Sequence, residues 1–297
     1  MDRYPEIKKV CVVGAGTMGH QIALCAALAG YEVKCVDKDS AMLVRAEELV
    51  AAYLSAQVNK GRMGEETAQQ VRSRLVFTPS LEEGAGEADF VIETISEDLE
   101  LKRRLFAELD RIAPPHAVLV TNSSFIGSSR IAGATGRPDK VCNLHFFNPP
   151  LVVKVVEVVK GPHVSEKTVR LVMEVSKSME KIPILIQKEI DGFVVNRVID
   201  AMVDEAVYLY EMGVASYEDI DTAVRHALGQ PLGPFKIMDL IGIDLVYQTR
   251  MNRYRETGNP AHKPSPTVIE KFVRGEWGRK SGKGFYEYPG KGEKEER

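Results

Sequence analysis

The sequence predicts an α/β protein: a mostly parallel, doubly wound sheet with an inserted helical hairpin, followed by an all-helical C-terminal domain. Three observations predict it. Short β-branched runs alternate with helical stretches as far as Ile186. A glycine-rich turn joins the first run to the first helical stretch. Beyond residue 187 the apolar spacing is helical throughout. Strands alternating with helices are the signature of a parallel sheet with helices on its faces.

Taken in order, residues 9–13 read as a strand, 17–29 as a helix and 32–36 as a strand. Gly30 stands just past the helix, where a left-handed residue is wanted. Residues 40–73 are charged, Ala-rich and helical, interrupted at Gly61 to Gly64, and read as a helical hairpin inserted into the alternation. Strands are predicted at 75–77, 89–95, 117–121, 141–146, 152–159 and 182–186, with helices at 99–112 and 165–179. In 191–212, Val194, Val195, Val198, Met202, Val203, Ala206, Leu209 and Tyr210 recur at helical spacing. Helices are also expected at 217–228, 235–241, 243–256 and 266–274, and a frayed tail at 290–297. The expected domains are 1–187 and 188–297. At roughly 150 residues per domain, 297 residues suit two.

Composition narrows the function classes. Lys and Arg total 39 and Asp and Glu 42, a net charge of −3, which offers no basic excess for nucleic acid or an anionic membrane. No apolar run approaches the ~18–20 residues that span a bilayer, and glycines interrupt the first apolar run before it could serve as a signal peptide. The chain is therefore expected to be cytoplasmic. Cys11, Cys25, Cys35 and Cys142 form no C-x-x-C pair, and the six histidines show no metal-ligand spacing, so reduced buried thiols and no metal are expected.

Gly14-Ala15-Gly16-Thr17-Met18-Gly19 matches G-x-G-x-x-G, directly after a strand and opening a helix. In that setting it is the dinucleotide fingerprint of a Rossmann-like domain. Gly14 permits the tight turn, Gly16 lets a pyrophosphate approach and Gly19 brings the helix close to the strand. The helix N-terminus presents free N–H groups and a positive dipole end. Asp37 ends the second strand, 18 residues beyond Gly19. A carboxylate there suits the adenosine ribose hydroxyls and repels a 2′-phosphate, which favours NAD, although Lys38 follows directly.

A second constellation lies at later strand ends. His145 sits at the end of the strand 141–146. Glu157 lies in the next run, among Val155, Val156, Val158 and Val159. A carboxylate in such a run is costly to bury unless paired. If the two strands adjoin, Glu157 can accept from one nitrogen of His145, leaving the other to take a proton from an alcohol. Ser123 and Ser124 follow another strand and either donate to an alkoxide or cap a helix.

These residues resemble the L-3-hydroxyacyl-CoA dehydrogenase family in its short-chain, 3-hydroxybutyryl-CoA form. The resemblance rests on GAGTMG at 14–19, IETISEDLELK at 92–102, TNSS at 121–124, LHFFNPP at 144–150, KVVEVV at 154–159, GFVVNR at 192–197, PLGPF at 231–235 and GRKSGKGFYEY at 278–288. It covers nearly the whole chain in order. It implies oxidation of a 3-hydroxyacyl-CoA to the 3-ketoacyl-CoA with NAD, reversibly, as in fatty-acid metabolism. His145 would be the catalytic base, Glu157 its partner, and Ser124 and Asn196 the polar groups at the reacting oxygen. Asp37, Glu97, Lys102, Ser124 and Asn148 would stand near the cofactor, with Lys60 on coenzyme A. The resemblance places the active site between the domains and, with surplus apolar residues in 188–297, implies a homodimer through the C-terminal domain. Three departures stand out. The family's N-T-S-S-L is here Asn122-Ser123-Ser124-Phe125, Tyr53 takes the place of a serine, and Asp191-Gly192-Phe193 replaces Pro-Gly-Phe. A dehydrogenase of the same build acting on a free hydroxy acid or sugar acid, or a non-catalytic NAD-binding relative, are the competing readings.

Overall fold

The computed structural model describes residue 4 and residues 6–288; the tail expected at 290–297 lies outside the described residues. The chain divides into two units, Met1–Phe193 and Val194–Arg297.

The first unit is built on strands β1 (Lys9–Val13), β2 (Glu32–Val36), β3 (Leu75–Thr78), β4 (Phe90–Glu93), β5 (Val118–Thr121), β6 (Val141–Phe146), β7 (Val155–Val159) and β8 (Ile182–Ile186). They form one sheet in the order β3-β2-β1-β4-β5-β6-β7-β8. Every neighbouring pair is parallel except β6 and β7, which run antiparallel with His145 opposite Glu157. The order reverses between β1 and β4, the place where open α/β sheets leave a crevice at their carboxyl ends. Helices α1 (Gly19–Leu28), α2 (Ser40–Asn59), α3 (Glu65–Ser73), α4 (Leu81–Ala85), α5 (Leu99–Ile112), α6 (Ser129–Ala132) and α7 (Glu166–Ser178) connect the strands. Strand residues point alternately to the two faces, so each face has its own core. Val10 and Val12 join Ile22, Val33, Phe90, Leu144 and Val156 on one side, while Cys11 and Val13 join Val91, Phe106, Leu119 and Val141 on the other. Asp39, Asp98 and Ser165 start α2, α5 and α7 by accepting the N–H groups of Ala41, Leu101 and Thr168.

The second unit holds α8 (Val195–Glu211), α9 (Tyr217–Leu228), α10 (Pro234–Ile241), α11 (Ile243–Thr257) and α12 (Pro266–Val273). Its core gathers Val203, Val207, Ile220, Met238 and Val268 around Phe235 and Phe285, whose rings meet edge to face at 4.7 Å. Two buried carboxylates fasten its connections. Asp221 accepts from the N–H groups of Phe235 and Lys236 and the Tyr286 hydroxyl; Asp239 accepts from the N–H groups of Phe285 and Tyr286 and the Tyr288 hydroxyl.

Most predicted elements agree with the structure to within a residue or two; three start late, among them α8, which begins at Val195 rather than 191 because residues 191–194 form a turn after β8. α1 begins at Gly19 rather than 17, because residues 16–18 form the turn of the glycine loop. β7 begins at Val155 rather than 152, because the Val152 and Val153 N–H groups turn back onto Pro149 O. The short α4 and α6 were not expected, since four or five residues show no helical period. Among the described residues, no helix is long and apolar enough to cross a membrane.

Candidate active site

The loop after β1 is shaped by close approach. Gly14 has φ +106° and its N–H donates to Val36 O at 2.7 Å. A Cβ on Gly19 would lie 1.7 Å from Gly14 O, so only glycine lets α1 start against the strand end. Gly16 is different. A Cβ there would meet no protein atom within 4 Å. Its need for glycine is therefore not internal packing, and the open space beside it fits an approaching ligand. Thr17 and Met18 complete the turn before α1. Asp37 faces the loop from the end of β2. Its Oδ2 accepts the Ala15 N–H at 2.8 Å and its Oδ1 the Asp39 N–H at 3.0 Å. A carboxylate has about four acceptor positions, so lone pairs are left for a pair of vicinal hydroxyls. Fixed loop, helix N-terminus and carboxylate together suit a dinucleotide.

Next to this loop, β4 and β5 carry a polar cluster that sequence reasoning found only in part. Thr94 Oγ1 lies 3.0 Å from both Val13 O and Gly14 O and braces the turn. Glu93 is fully buried. It accepts from Lys102 Nζ at 2.6 Å, the Ile95 N–H at 2.7 Å and the Thr121 hydroxyl at 2.6 Å. Burial pushes its carboxyl above the ordinary range, while those three donors pull the other way. The Lys102 side chain is 1% exposed and its ammonium also lies 3.3 Å from Ile95 O. It thus reaches the crevice through Glu97, whose Oε2 lies 3.6 Å away. Glu97 Oε1 accepts from the Ser123 hydroxyl and from the Phe125 N–H, so it brackets Ser124 from both sides.

This separates the two serines. Ser123 is spent internally, donating to Glu97 and accepting the Ile126 N–H at 2.7 Å, and does not serve as a donor to an alkoxide. Ser124 points the other way. Its Oγ lies 2.9 Å from His145 Nε2, and His145 Nδ1 lies 2.9 Å from Glu157 Oε2. Because the carboxylate can only accept, Nδ1 carries the proton, and Nε2 accepts from the Ser124 hydroxyl. The His145 and Glu157 side chains are 4% and 0% exposed. Asn143, two residues before His145 and fully buried, accepts the Ser128 N–H and donates to Ser123 O and Ile126 O, tying the serine turn to β6. Phe147 and Phe193 flank the imidazole at 4.6 and 5.6 Å. Such a line of hydroxyl, imidazole and carboxylate can accept a proton at Nε2 and hold the resulting cation.

The other expected site residues lie apart from this line. Asn148 is exposed in the turn after β6, before Pro149. The carbonyls of that turn are held by Lys181, whose buried ammonium donates to Pro150 O and to Val153 O at 3.1 Å. Lys60 is exposed at the end of α2, at the tip of the hairpin. Asn196 is the second residue of α8, in the second unit. Thr94, Glu93, Asn143 and Lys181 went unnoticed in the sequence, where nothing local marks their contacts. Burial pushes the Cys35 and Cys142 thiols up to about 12. Among the described residues no group of His, Cys, Asp and Glu could hold a metal.

Comparison with known proteins identifies the family. The model of the 3-hydroxyacyl-CoA dehydrogenase NAD binding domain matches residues 9–190, and that of the family's C-terminal domain matches 192–288. A probable 3-hydroxybutyryl-CoA dehydrogenase of Bacillus subtilis is 37% identical, over 95% of this chain and 98% of its own. Human mitochondrial hydroxyacyl-coenzyme A dehydrogenase is 36% identical, over 95% of this chain and 91% of its own. The crystal structure of (S)-3-hydroxybutyryl-CoA dehydrogenase PaaH1 from Ralstonia eutropha superposes with a TM-score of 0.90 at 33% identity, covering 96% of this chain and all of that one. The chain belongs to the 3-hydroxyacyl-CoA dehydrogenase family, and its cofactor is NAD.

Proposed function

We propose that the protein oxidises the hydroxyl group of an L-3-hydroxyacyl-CoA, of the 3-hydroxybutyryl kind, to the ketone and catalyses the reverse reduction, with His145 as the acid–base group. The observation that carries this is the line Ser124–His145–Glu157, its imidazole and carboxylate buried and both links at 2.9 Å. NAD supplies the hydride acceptor when bound. His145 Nε2 takes the hydroxyl proton as the carbonyl forms, and the protonated ring returns it in the reverse direction. Glu157 holds the ring in the tautomer that leaves Nε2 free to accept and stabilises the imidazolium. With substrate bound, Ser124 turns its one hydroxyl proton from Nε2 to the reacting oxygen, to which Asn196 also donates, and Nε2 is freed for the substrate hydroxyl.

Gly14, Gly16, Thr17, Met18 and Gly19 hold the pyrophosphate and Asp37 the adenosine ribose. Glu97, Lys102 and Asn148 order the crevice on the cofactor's other side, Lys102 from beneath the surface. Lys60 meets coenzyme A. The reading also takes residues 188–297 as the wall of the substrate cleft and as the dimer interface, supported by Val198, Tyr208 and Met212 of α8 and its end, each more than half exposed. Light scattering should give twice the chain mass of 32.9 kDa. Four buried free thiols suit a reducing compartment such as the cytoplasm. The deciding assay compares 3-hydroxybutyryl-CoA with free 3-hydroxybutyrate, with NAD and NADP in parallel. Turnover of the CoA ester with NAD is expected; turnover of the free acid alone would overturn the substrate assignment.

A further inference from the structure

Hydrogen bonds at Nδ1 and Nε2 fix two points of the His145 ring. With the Cβ–Cγ bond they set the mean plane of the ring, but hydrogen bonds tolerate a few tens of degrees of misalignment, and a ring that librates presents Nε2 poorly to a hydroxyl. The faces of the ring must be held by something else. Phe147 meets it at 4.6 Å and 62°, and Phe193 at 5.6 Å and 58°. Phe147 follows β6 directly and comes with the strand. Phe193 comes from afar, and its backbone is in an unfavourable state. Its φ is +49°, the left-handed region, where a bulky L-residue persists only if its surroundings impose it.

The surroundings do so at three points. The ring is 1% exposed and packs with Val159 and Ile186. The N–H donates to Ile190 O at 3.3 Å. The start of the segment is pinned by Glu189, whose carboxylate accepts from the Ser129 N–H at 3.1 Å and from the Ser129 hydroxyl. Gly127 and Gly161 make room for that carboxylate, since a Cβ on either would meet its oxygens at 2.1 and 3.1 Å. Glu189 thereby fastens the exit from β8 to the loop that follows Ser124.

We infer that Phe193 is a positioning residue for proton transfer: the left-handed turn that follows β8 exists to place its ring against one side of the His145 imidazole. The inference rests on His145 being the base. A glycine at 193 adopts the same φ without strain but lacks the ring, so Phe193→Gly separates the turn from the aromatic contact. In the full-length enzyme, Phe193→Gly and Phe193→Ala should each lower kcat about 10- to 100-fold, the scale set by small misplacements of catalytic groups, with the KM for NAD little changed. Phe193→Leu, which keeps an apolar side chain there, should restore most of the rate. In ¹⁵N–¹H spectra, His145 should show one tautomer in the parent protein and averaging in Phe193→Gly. Retained kcat with an unaltered His145 signal in Phe193→Gly would overturn the inference. If His145→Gln itself keeps turnover, the base assignment fails on its own, and the His145 signal in Phe193→Gly alone decides whether the ring positions the imidazole.

Discussion

Replacing Glu157 by Gln removes one charge and almost no volume from a fully buried position. The His145 and Glu157 side chains are 4% and 0% exposed, with Nδ1 2.9 Å from Oε2. When His145 takes the substrate proton, the pair becomes imidazolium and carboxylate. At an effective dielectric constant of about 20, unit charges about 4 Å apart attract by about 4 kcal/mol. The glutamine carbonyl retains part of this as a dipole, so the charged state loses about 2–4 kcal/mol, or about 30- to 1000-fold in rate. Should the amide instead donate to Nδ1, the proton moves to Nε2 and the ring cannot act as a base, which takes the loss toward the ~10⁴ measured for a comparable change in a serine protease. Steady-state kcat in both directions, at saturating NAD and 3-hydroxybutyryl-CoA, reads the effect, and the KM for NAD should stay near the parent value. A loss below about threefold would refute the reasoning, because a buried imidazolium cannot be so indifferent to a carboxylate partner at this distance.

The glycine loop offers a paired test: Gly19→Ala should destabilise the protein, because its Cβ would lie 1.7 Å from Gly14 O, whereas Gly16→Ala should melt normally yet weaken NADH binding about tenfold or more by fluorescence titration. Lys102→Met strands the buried Glu93 carboxylate and should cost about 3–5 kcal/mol in urea unfolding; a cost below about 1 kcal/mol would mean the pair is not a structural tie. Glu97→Ala frees the turn on both sides of Ser124 and should lower kcat about tenfold while the melting temperature changes little, measured by steady-state kinetics and calorimetry.

Legibility in the sequence followed the range of the interactions. Strands of the first unit declared themselves as β-branched runs, since parallel strands covered on both faces must be apolar along their length. The glycine loop was legible because Gly14 and Gly19 answer local steric demands and the spacing of all three is a known fingerprint, Gly16 leaving room for a ligand. Glu157 was legible because a carboxylate among four valines is costly unless a partner stands opposite, and His145 ends the preceding strand. The residue pattern alone does not divide Ser123 from Ser124, since both follow β5, and the choice of Ser124 rests on the family resemblance; the physical reason is the position of Glu97, 26 residues upstream of Ser123, which gives one to the turn and leaves the other to the imidazole. Glu93 read as one more strand residue until Lys102 and Thr121 were seen to converge on it. Phe193 lay inside a recognised motif, but its left-handed backbone and its place beside His145 depend on β6, β7 and β8 meeting in one sheet.

The account stands on the assignment of His145 as the group that takes the substrate's proton. Its most direct test is His145→Gln, assayed for turnover of 3-hydroxybutyryl-CoA and, separately, for NADH binding by fluorescence. The imidazole lies on β6 while the dinucleotide loop follows β1, so the two functions separate. Turnover should fall by about 10³-fold or more, as expected when a general base is removed, with NADH affinity within about twofold of the parent. A variant that binds NADH normally and still turns over at more than about a tenth of the parent rate would contradict the account.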